Sequence, residues 1–216
     1  MIKDKPNKLA VWFLINVVER YLLSRFQKLS FHGDLKIDKQ KASLVIMNHF
    51  SFNDGFVMLR LSRLILKKSF RIMVIEAQLK AIKIIRYIGC FSINKNSKSM
   101  IESLNYASEL LKDPNNILGI YPQGEVYSMH LNRIHFESGL THILKKSKDT
   151  SFQIIFVVCM LDYLDSFKPH ARVYMEEYQG PHDLKTMESS YNKFYKTCKI
   201  KQQELHHPPA SVIDQV

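Results

Sequence analysis

The stretch Ser43-Leu44-Val45-Ile46-Met47-Asn48-His49-Phe50-Ser51-Phe52-Asn53-Asp54-Gly55-Phe56-Val57-Met58-Leu59 changes its rhythm partway along. Its first five residues form an almost wholly apolar run, short and rich in branched side chains, as in a strand covered on both faces. A polar turn follows, and over 53–66 the apolar positions return at helical spacing. Working outward, the same alternation continues. Phe70–Ile75, Ile117–Tyr121 and Phe152–Met160 read as buried strands, with a short run at Cys90–Ile93 and a late strand at Arg172–Glu176. Helices are predicted over 77–87, 97–112 and 183–205, and Asp113-Pro114-Asn115-Asn116 stops the second of these. Strand–helix alternation of this kind predicts a single α/β domain with a largely parallel central sheet flanked by helices.

The 216 residues are 46% apolar and 24% charged, enough to bury a proper core, which excludes a disordered chain. The net charge is +11, and it is not spread evenly. Residues 1–100 hold nineteen basic and six acidic side chains, whereas residues 101–216 hold twelve and fourteen. A basic half calls for an anionic partner: nucleic acid, an acidic carrier protein or an anionic membrane. Cys90, Cys159 and Cys198 are odd in number and lack C-x-x-C spacing. A disulfide framework is therefore not expected, and a reducing compartment is.

Leu9 to Val18 is too short for a spanning helix, and Glu19-Arg20-Tyr21 follows in place of a cleavage site. Neither a cleaved signal nor a transmembrane span is expected. From Leu9 to Leu29, however, Asn16, Arg20, Ser24 and Lys28 mark one polar stripe on a helix that is otherwise apolar, with Trp12, Phe13, Ile15, Val18, Leu22, Leu23 and Phe26. Such an arc fits an amphipathic helix lying in a membrane interface, or a terminal helix packed on the domain. A second basic stripe, Arg60, Arg63 and Lys67 in the apolar 56–66 stretch, tips the reading towards lipid. No aromatic–basic interleaving, zinc finger or recognition helix supports nucleic acid, so none is expected as a partner. The expected organisation is an N-terminal membrane-interface helix over 1–29, a domain over 30–205 and a flexible tail over 206–216. The expected location is the cytoplasmic face of a membrane, peripheral or monotopic.

In such sheets ligands gather at the carboxyl ends of the strands. Three loops stand there: Asn48 through Gly55, Pro122-Gln123-Gly124-Glu125, and Asn94-Lys95. His49 is a natural general base near neutral pH, the more so if a carboxylate holds its other ring nitrogen. Asp54, five residues on, meets it only if a strand-to-helix turn folds the two together.

Asn48-His49-x-Ser51-Phe52-x-Asp54 resembles the N-H-x-S-x-x-D block of the glycerolipid acyltransferases, the 1-acylglycerol-3-phosphate acyltransferase family. Ile120-Tyr121-Pro122-Gln123-Gly124 is similar to that family's [IV]-[FY]-P-E-G block. Gly89 through Ile93-Asn94-Lys95 resembles its G-x-x-x-[IV]-x-R segment, and Phe136-Glu137-Ser138-Gly139 its F-x-x-G. The resemblance runs from about residue 30 to 180. It implies transfer of a fatty acyl group from acyl-CoA or acyl carrier protein to a lipid hydroxyl such as that of a lysophospholipid, without metal or bound cofactor. His49 would be the base and Asp54 its partner; no G-x-S-x-G elbow offers a covalent nucleophile. Substrate-binding positions would be Asn48, Ser51, Asn94, Lys95, Pro122, Gln123, Gly124 and Glu125, with Arg133 from the following loop. Ser51 fits a hydrogen-bonding role in the turn. The third block departs from the family's P-E-G-T-R: Gln123 replaces Glu and Val126 stands where Arg belongs. Lysophosphatidic acid is thus in doubt as acceptor, since valine cannot fork a phosphate. The alternative is a catalytically silent lipid-binding protein of the same fold.

Overall fold

The computed structural model describes residues 1–94 and 99–205. Seven strands form one sheet in the order β1-β7-β6-β2-β5-β3-β4. They are β1 (Lys28–His32), β2 (Ala42–Met47), β3 (Ser69–Ile75), β4 (Cys90–Ile93), β5 (Asn116–Ile120), β6 (Phe152–Asp162) and β7 (His170–Tyr178). Every neighbouring pair is parallel except β6 and β7, an antiparallel hairpin. β2, β5 and β6 are the apolar runs of the sequence and lie at the centre, buried along almost their whole length. Side chains alternate across the sheet into two cores. Leu44, Ile46, Leu118, Ile154 and Phe156 enter one; Val45, Met47, Ile117, Ile155 and Val157 enter the other.

The helices cover both faces: α3 (Asp54–Leu61), α4 (Glu76–Ala81), α5 (Ser99–Leu110), α6 (Gly139–Lys146) and α7 (Leu184–Glu204), besides the N-terminal α1 (Lys8–Phe13) and α2 (Arg20–Leu23). α3 continues as a π-helical stretch, Ser62–Leu66, and a 3-10 turn, Lys83–Ile88, precedes β4. That turn ends on Gly89, whose φ of 114° would put a Cβ 1.9 Å from the Phe70 carbonyl oxygen, so only glycine serves there.

The N-terminal helix differs from expectation at its end. Its helical rhythm extends to Leu29 in the sequence, but α2 ends at Leu23 and Lys28–His32 is a strand. A boundary at 29/30 therefore cuts through β1. The cause is non-local: β1 pairs in register with β7, some 140 residues on, from Lys28↔His170 to His32↔Tyr174. Between α1 and α2 the chain is π-helical over Leu14–Glu19. Bonding at i→i+5 turns Leu14 and Glu19 to the same inward side, and both are buried. Glu19 meets Arg63 at 2.5 Å and Arg60 at 3.4 Å, which pins the helix to α3 and its π-helical extension. The opposite side leaves Leu9, Trp12, Phe13, Val17 and Tyr21 exposed. Among the described residues no helix is long and apolar enough to cross a membrane. The proposed tail at 206–216 lies outside the described residues.

Candidate active site

β2 ends at Met47, and the chain must turn from a strand into α3 within six residues. That turn folds Asp54, the first residue of α3, back towards the strand end. Its Oδ2 lies 2.8 Å from His49 Nδ1, and the same oxygen accepts the backbone N–H of Phe50 and of Ser51, each at 2.8 Å. Ser51 Oγ accepts the Asn53 N–H at 3.1 Å within the same turn. Asp54 is 1% exposed. An acceptor in this position keeps the imidazole proton on Nδ1, which donates to it, and leaves the lone pair on Nε2; this assignment of the tautomer follows from the contact.

The main chain of His49 is held from both sides. Its N–H donates to Gln123 Oε1 at 2.7 Å, and its carbonyl accepts the Tyr127 N–H at 3.0 Å. The Tyr121 ring stacks on the imidazole with centroids 4.0 Å apart and planes within 8°. Burial first, and the Asp54 charge second, push the Tyr121 phenol well above its ordinary value, so the stacked ring is neutral. Asn48 extends the β2–β6 pairing beyond its last rung at Met47↔Val157. Its Nδ2 donates to the Cys159 carbonyl at 3.0 Å while its Oδ1 accepts the Cys159 N–H at 2.8 Å. From α7, the Tyr191 hydroxyl donates to the Val157 carbonyl at 2.8 Å, bracing the same strand.

His49 stands on the wall of a groove of about 480 Å³. The groove straddles the carboxyl edge of the sheet around β3 and reaches both faces. Phe56, Phe70, Ile72, Ile88 and Cys90 line it on the α3 side; Met73, Ile93, Leu104, Leu140 and Ile143 on the α5–α6 side. Pro122, Gly124, Glu125, Val126 and Glu137 complete it near the histidine. A mostly apolar cleft whose polar groups include His49, Glu125 and Glu137 at one end suits a long hydrocarbon chain presenting a reactive end. Burial, and then the charge of Asp4, push the Cys90 thiol up, which keeps it protonated and unreactive.

The sequence-predicted residues fall into three groups. His49 and Asp54 meet, and Pro122, Gly124 and Glu125 line the groove with His49. Asn48, Ser51 and Gln123 are engaged inside the protein, with Gln123 only 4% exposed and turned onto the His49 N–H. Asn94 is exposed just past β4 and, unlike its neighbour Ile93, does not line the groove, and Lys95 lies outside the described residues. Arg133 is also off the groove wall: it donates to Glu188 on α7 at 2.6 Å, and Glu188 further accepts the Phe136 N–H at 2.9 Å and lies 3.2 Å from His135 Nδ1.

This Glu188 knot yields a pH dependence. Burial works against the carboxylate, but the Phe136 N–H, the Arg133 guanidinium and the His135 and Arg133 charges outweigh it and hold the carboxyl below its ordinary 4.5. A depressed folded-state value adds stability above the unfolded value, and that stability is lost as pH falls through the folded one. Glu188→Gln should therefore flatten the fall of Tm with acidification below pH 4.5. Parallel Tm curves for the two proteins there would dismiss the effect.

Sequence reasoning did not single out Tyr121 or Tyr127 as site residues. Tyr121 was legible only as part of the Tyr-Pro-Gln-Gly run, and Tyr127 acts through its backbone, which no side-chain pattern reveals.

Comparison with known proteins fits this geometry. A search of curated proteins finds no match. Among solved structures, the chain is similar to the crystal structure of the 1-acyl-sn-glycerophosphate (LPA) acyltransferase PlsC from Thermotoga maritima. The TM-score is 0.60 at 16% identity, covering 94% of this chain and 84% of that one. The likeness is one of fold, including the N-terminal helix ahead of a mostly parallel sheet. Residues 28–160 match the acyltransferase family model. That segment begins with β1, contains the His49 turn and the Pro122 loop, and closes within β6. The chain belongs to the acyltransferase family.

Proposed function

We propose that this protein moves a fatty acyl group from an acyl thioester, acyl-CoA or acyl carrier protein, to a free hydroxyl of a glycerolipid at a membrane surface. The observation that carries the reading is His49 on the wall of an apolar groove with its Nδ1 held by buried Asp54. Nε2 takes the proton of the acceptor hydroxyl as its oxygen attacks the thioester carbonyl. Asp54 offsets the positive charge that the imidazole gains. The tetrahedral intermediate collapses by breaking the C–S bond, and the imidazolium returns its proton to the departing thiolate. No covalent acyl-enzyme is needed.

The groove wall carries Glu125 and Glu137 and, among the described residues, no Lys or Arg. This favours an acceptor without a phosphate monoester, such as a lysophospholipid with an esterified head, over lysophosphatidic acid. The exposed face of the N-terminal helix supports a peripheral or monotopic station at a membrane, and the leaflet we propose is the cytoplasmic one.

The test is incorporation of labelled acyl groups from both donors into a panel of lysolipids including lysophosphatidic acid, with lipid mass spectrometry of cells carrying or lacking the protein. A new ester on a lysophospholipid supports the reading. No product from any donor–acceptor pair would favour a silent lipid-binding protein. The groove itself is checked by Ile88→Trp, which fills the α3 side away from the Pro122 loop. Kinetics with donors of graded length should show preference shifting by several carbons to shorter chains. Uniform loss at every length would argue against an acyl channel.

A further inference from the structure

The β6–β7 hairpin outreaches β2 at the centre of the sheet, with β1 running beside the β7 arm from Lys28↔His170 to His32↔Tyr174. β2 stops pairing with β6 at Met47↔Val157, whereas β6 continues against β7 to Asp162. Five more residues of strand extend roughly 17 Å at the rise of an antiparallel strand. The extension leaves the carboxyl edge, the one on which His49 stands. At its tip, Tyr163 is 60% exposed, Leu164 43% and Phe167 fully exposed. Water-facing turns are built chiefly from Gly, Pro, Asn, Asp and Ser. Here Tyr163, Leu164 and Phe167 are three of the seven turn residues, beside Asp165, Ser166, Lys168 and Pro169, and Leu164 holds a φ of 49°, a region that bulky residues rarely enter. Three large apolar side chains exposed together in one turn form a patch that calls for a partner.

The tip is also tied to the N-terminal helix. Lys168 Nζ donates to the Ser24 carbonyl at 2.8 Å, and the Gln27 N–H donates to the Pro169 carbonyl at 2.9 Å, just past the end of α2. The hairpin tip thus stands beside the end of the helix that exposes Trp12, Phe13, Val17 and Tyr21. Arg25, Lys28 and Lys168 are exposed around the junction. We propose that the tip of the β6–β7 hairpin is a second membrane-inserting element, which dips Tyr163, Leu164 and Phe167 into a leaflet of anionic lipid alongside the N-terminal helix. This rests on the membrane reading of that helix. The cations at the junction complement anionic headgroups, and the aromatic rings suit the boundary between headgroup and acyl chain. Asp165, exposed between the apolar residues, keeps the insertion shallow. Since the hairpin passes the end of β2 on the His49 side, this docking would turn the groove towards the lipid.

The test compares wild type with two triple variants of the full chain, Tyr163→Ser/Leu164→Ser/Phe167→Ser and Trp12→Ser/Phe13→Ser/Tyr21→Ser. The readout is sedimentation with vesicles of phosphatidylcholine and phosphatidylglycerol. The hairpin triple should lower the vesicle partition coefficient about tenfold or more. Because Cys90, Cys159 and Cys198 are buried, Phe167→Cys can carry an environment-sensitive dye as the sole accessible thiol among the described residues. Its emission should shift blue on vesicle addition, a readout independent of whether the triple variant folds. Wild type that ignores the vesicles overturns both the helix reading and this one. A helix triple that loses binding, beside a hairpin triple that sediments as wild type with an unmoved dye, overturns the hairpin alone. So does a hairpin triple that binds vesicles normally but loses an acyl carrier protein or changes mass without lipid, since the tip would then face a protein.

Discussion

Replacing His49 with alanine should lower the rate of acyl transfer about 10²- to 10⁴-fold, the usual worth of a positioned general base. The loss should appear in kcat far more than in KM for the acyl donor, because the groove is lined chiefly by residues the substitution leaves in place. Folding should be little affected. The imidazole is partly exposed, and Asp54 keeps two of its three donors, the N–H groups of Phe50 and Ser51. The measurement is steady-state kinetics beside thermal unfolding. Equal turnover in variant and wild type would end the proposed mechanism, whatever the acceptor proves to be.

Asp54→Ala should behave differently, and the contrast is diagnostic. The carboxylate orients the imidazole and also satisfies the Phe50 and Ser51 N–H groups, two donors on the turn from β2 into α3. Removing it frees the imidazole to rotate and leaves both donors without their acceptor. Each buried donor so orphaned costs about 1–3 kcal/mol, less where water reaches the turn. A stability loss of about 2–4 kcal/mol is therefore expected with a rate loss near that of His49→Ala. Asp54→Asn separates the two effects. Its amide oxygen can still accept from the turn, so much of the stability should return, while the charge that stabilises the imidazolium stays absent. If Asp54→Asn recovered turnover as well as stability, Asp54 would be a cap for the turn and nothing more.

The central sheet was readable because its strands are covered on both faces, so local composition carried the information. β2, β5 and β6 are nearly continuous apolar runs, and no alternative element explains them. The edge was not readable in the same way. Leu29 and Phe31 of β1 satisfy strand alternation, yet Leu29 also completes the helical rhythm begun at Leu9. Only pairing with β7, late in the chain, decides between them. The π-helical bonding that turns Glu19 inward is equally silent in a pattern read at 3.6 residues per turn.

For the site, residue types at strand ends pointed to His49 and Asp54, and their meeting needed only a local turn. What was missed is contact across distance. Gln123 reads as a group offered to substrate, but it is used on the His49 backbone 74 residues away. Arg133 reads as a spare cation near the third block, but Glu188 of α7 has claimed it. Polar side chains in loops are ambiguous until their burial is known.

The double grip on the His49 main chain has a practical consequence for enzyme engineering. A designer wishing to transplant this site into another scaffold would fail with the histidine and aspartate alone. The transferable unit is two segments that follow adjacent strands, 48–54 after β2 and 121–127 after β5, because the second supplies the acceptor for His49 N–H, the donor to its carbonyl and the ring stacked on its imidazole. Libraries that randomise one loop while freezing the other should yield few active members, and productive changes should come in matched pairs.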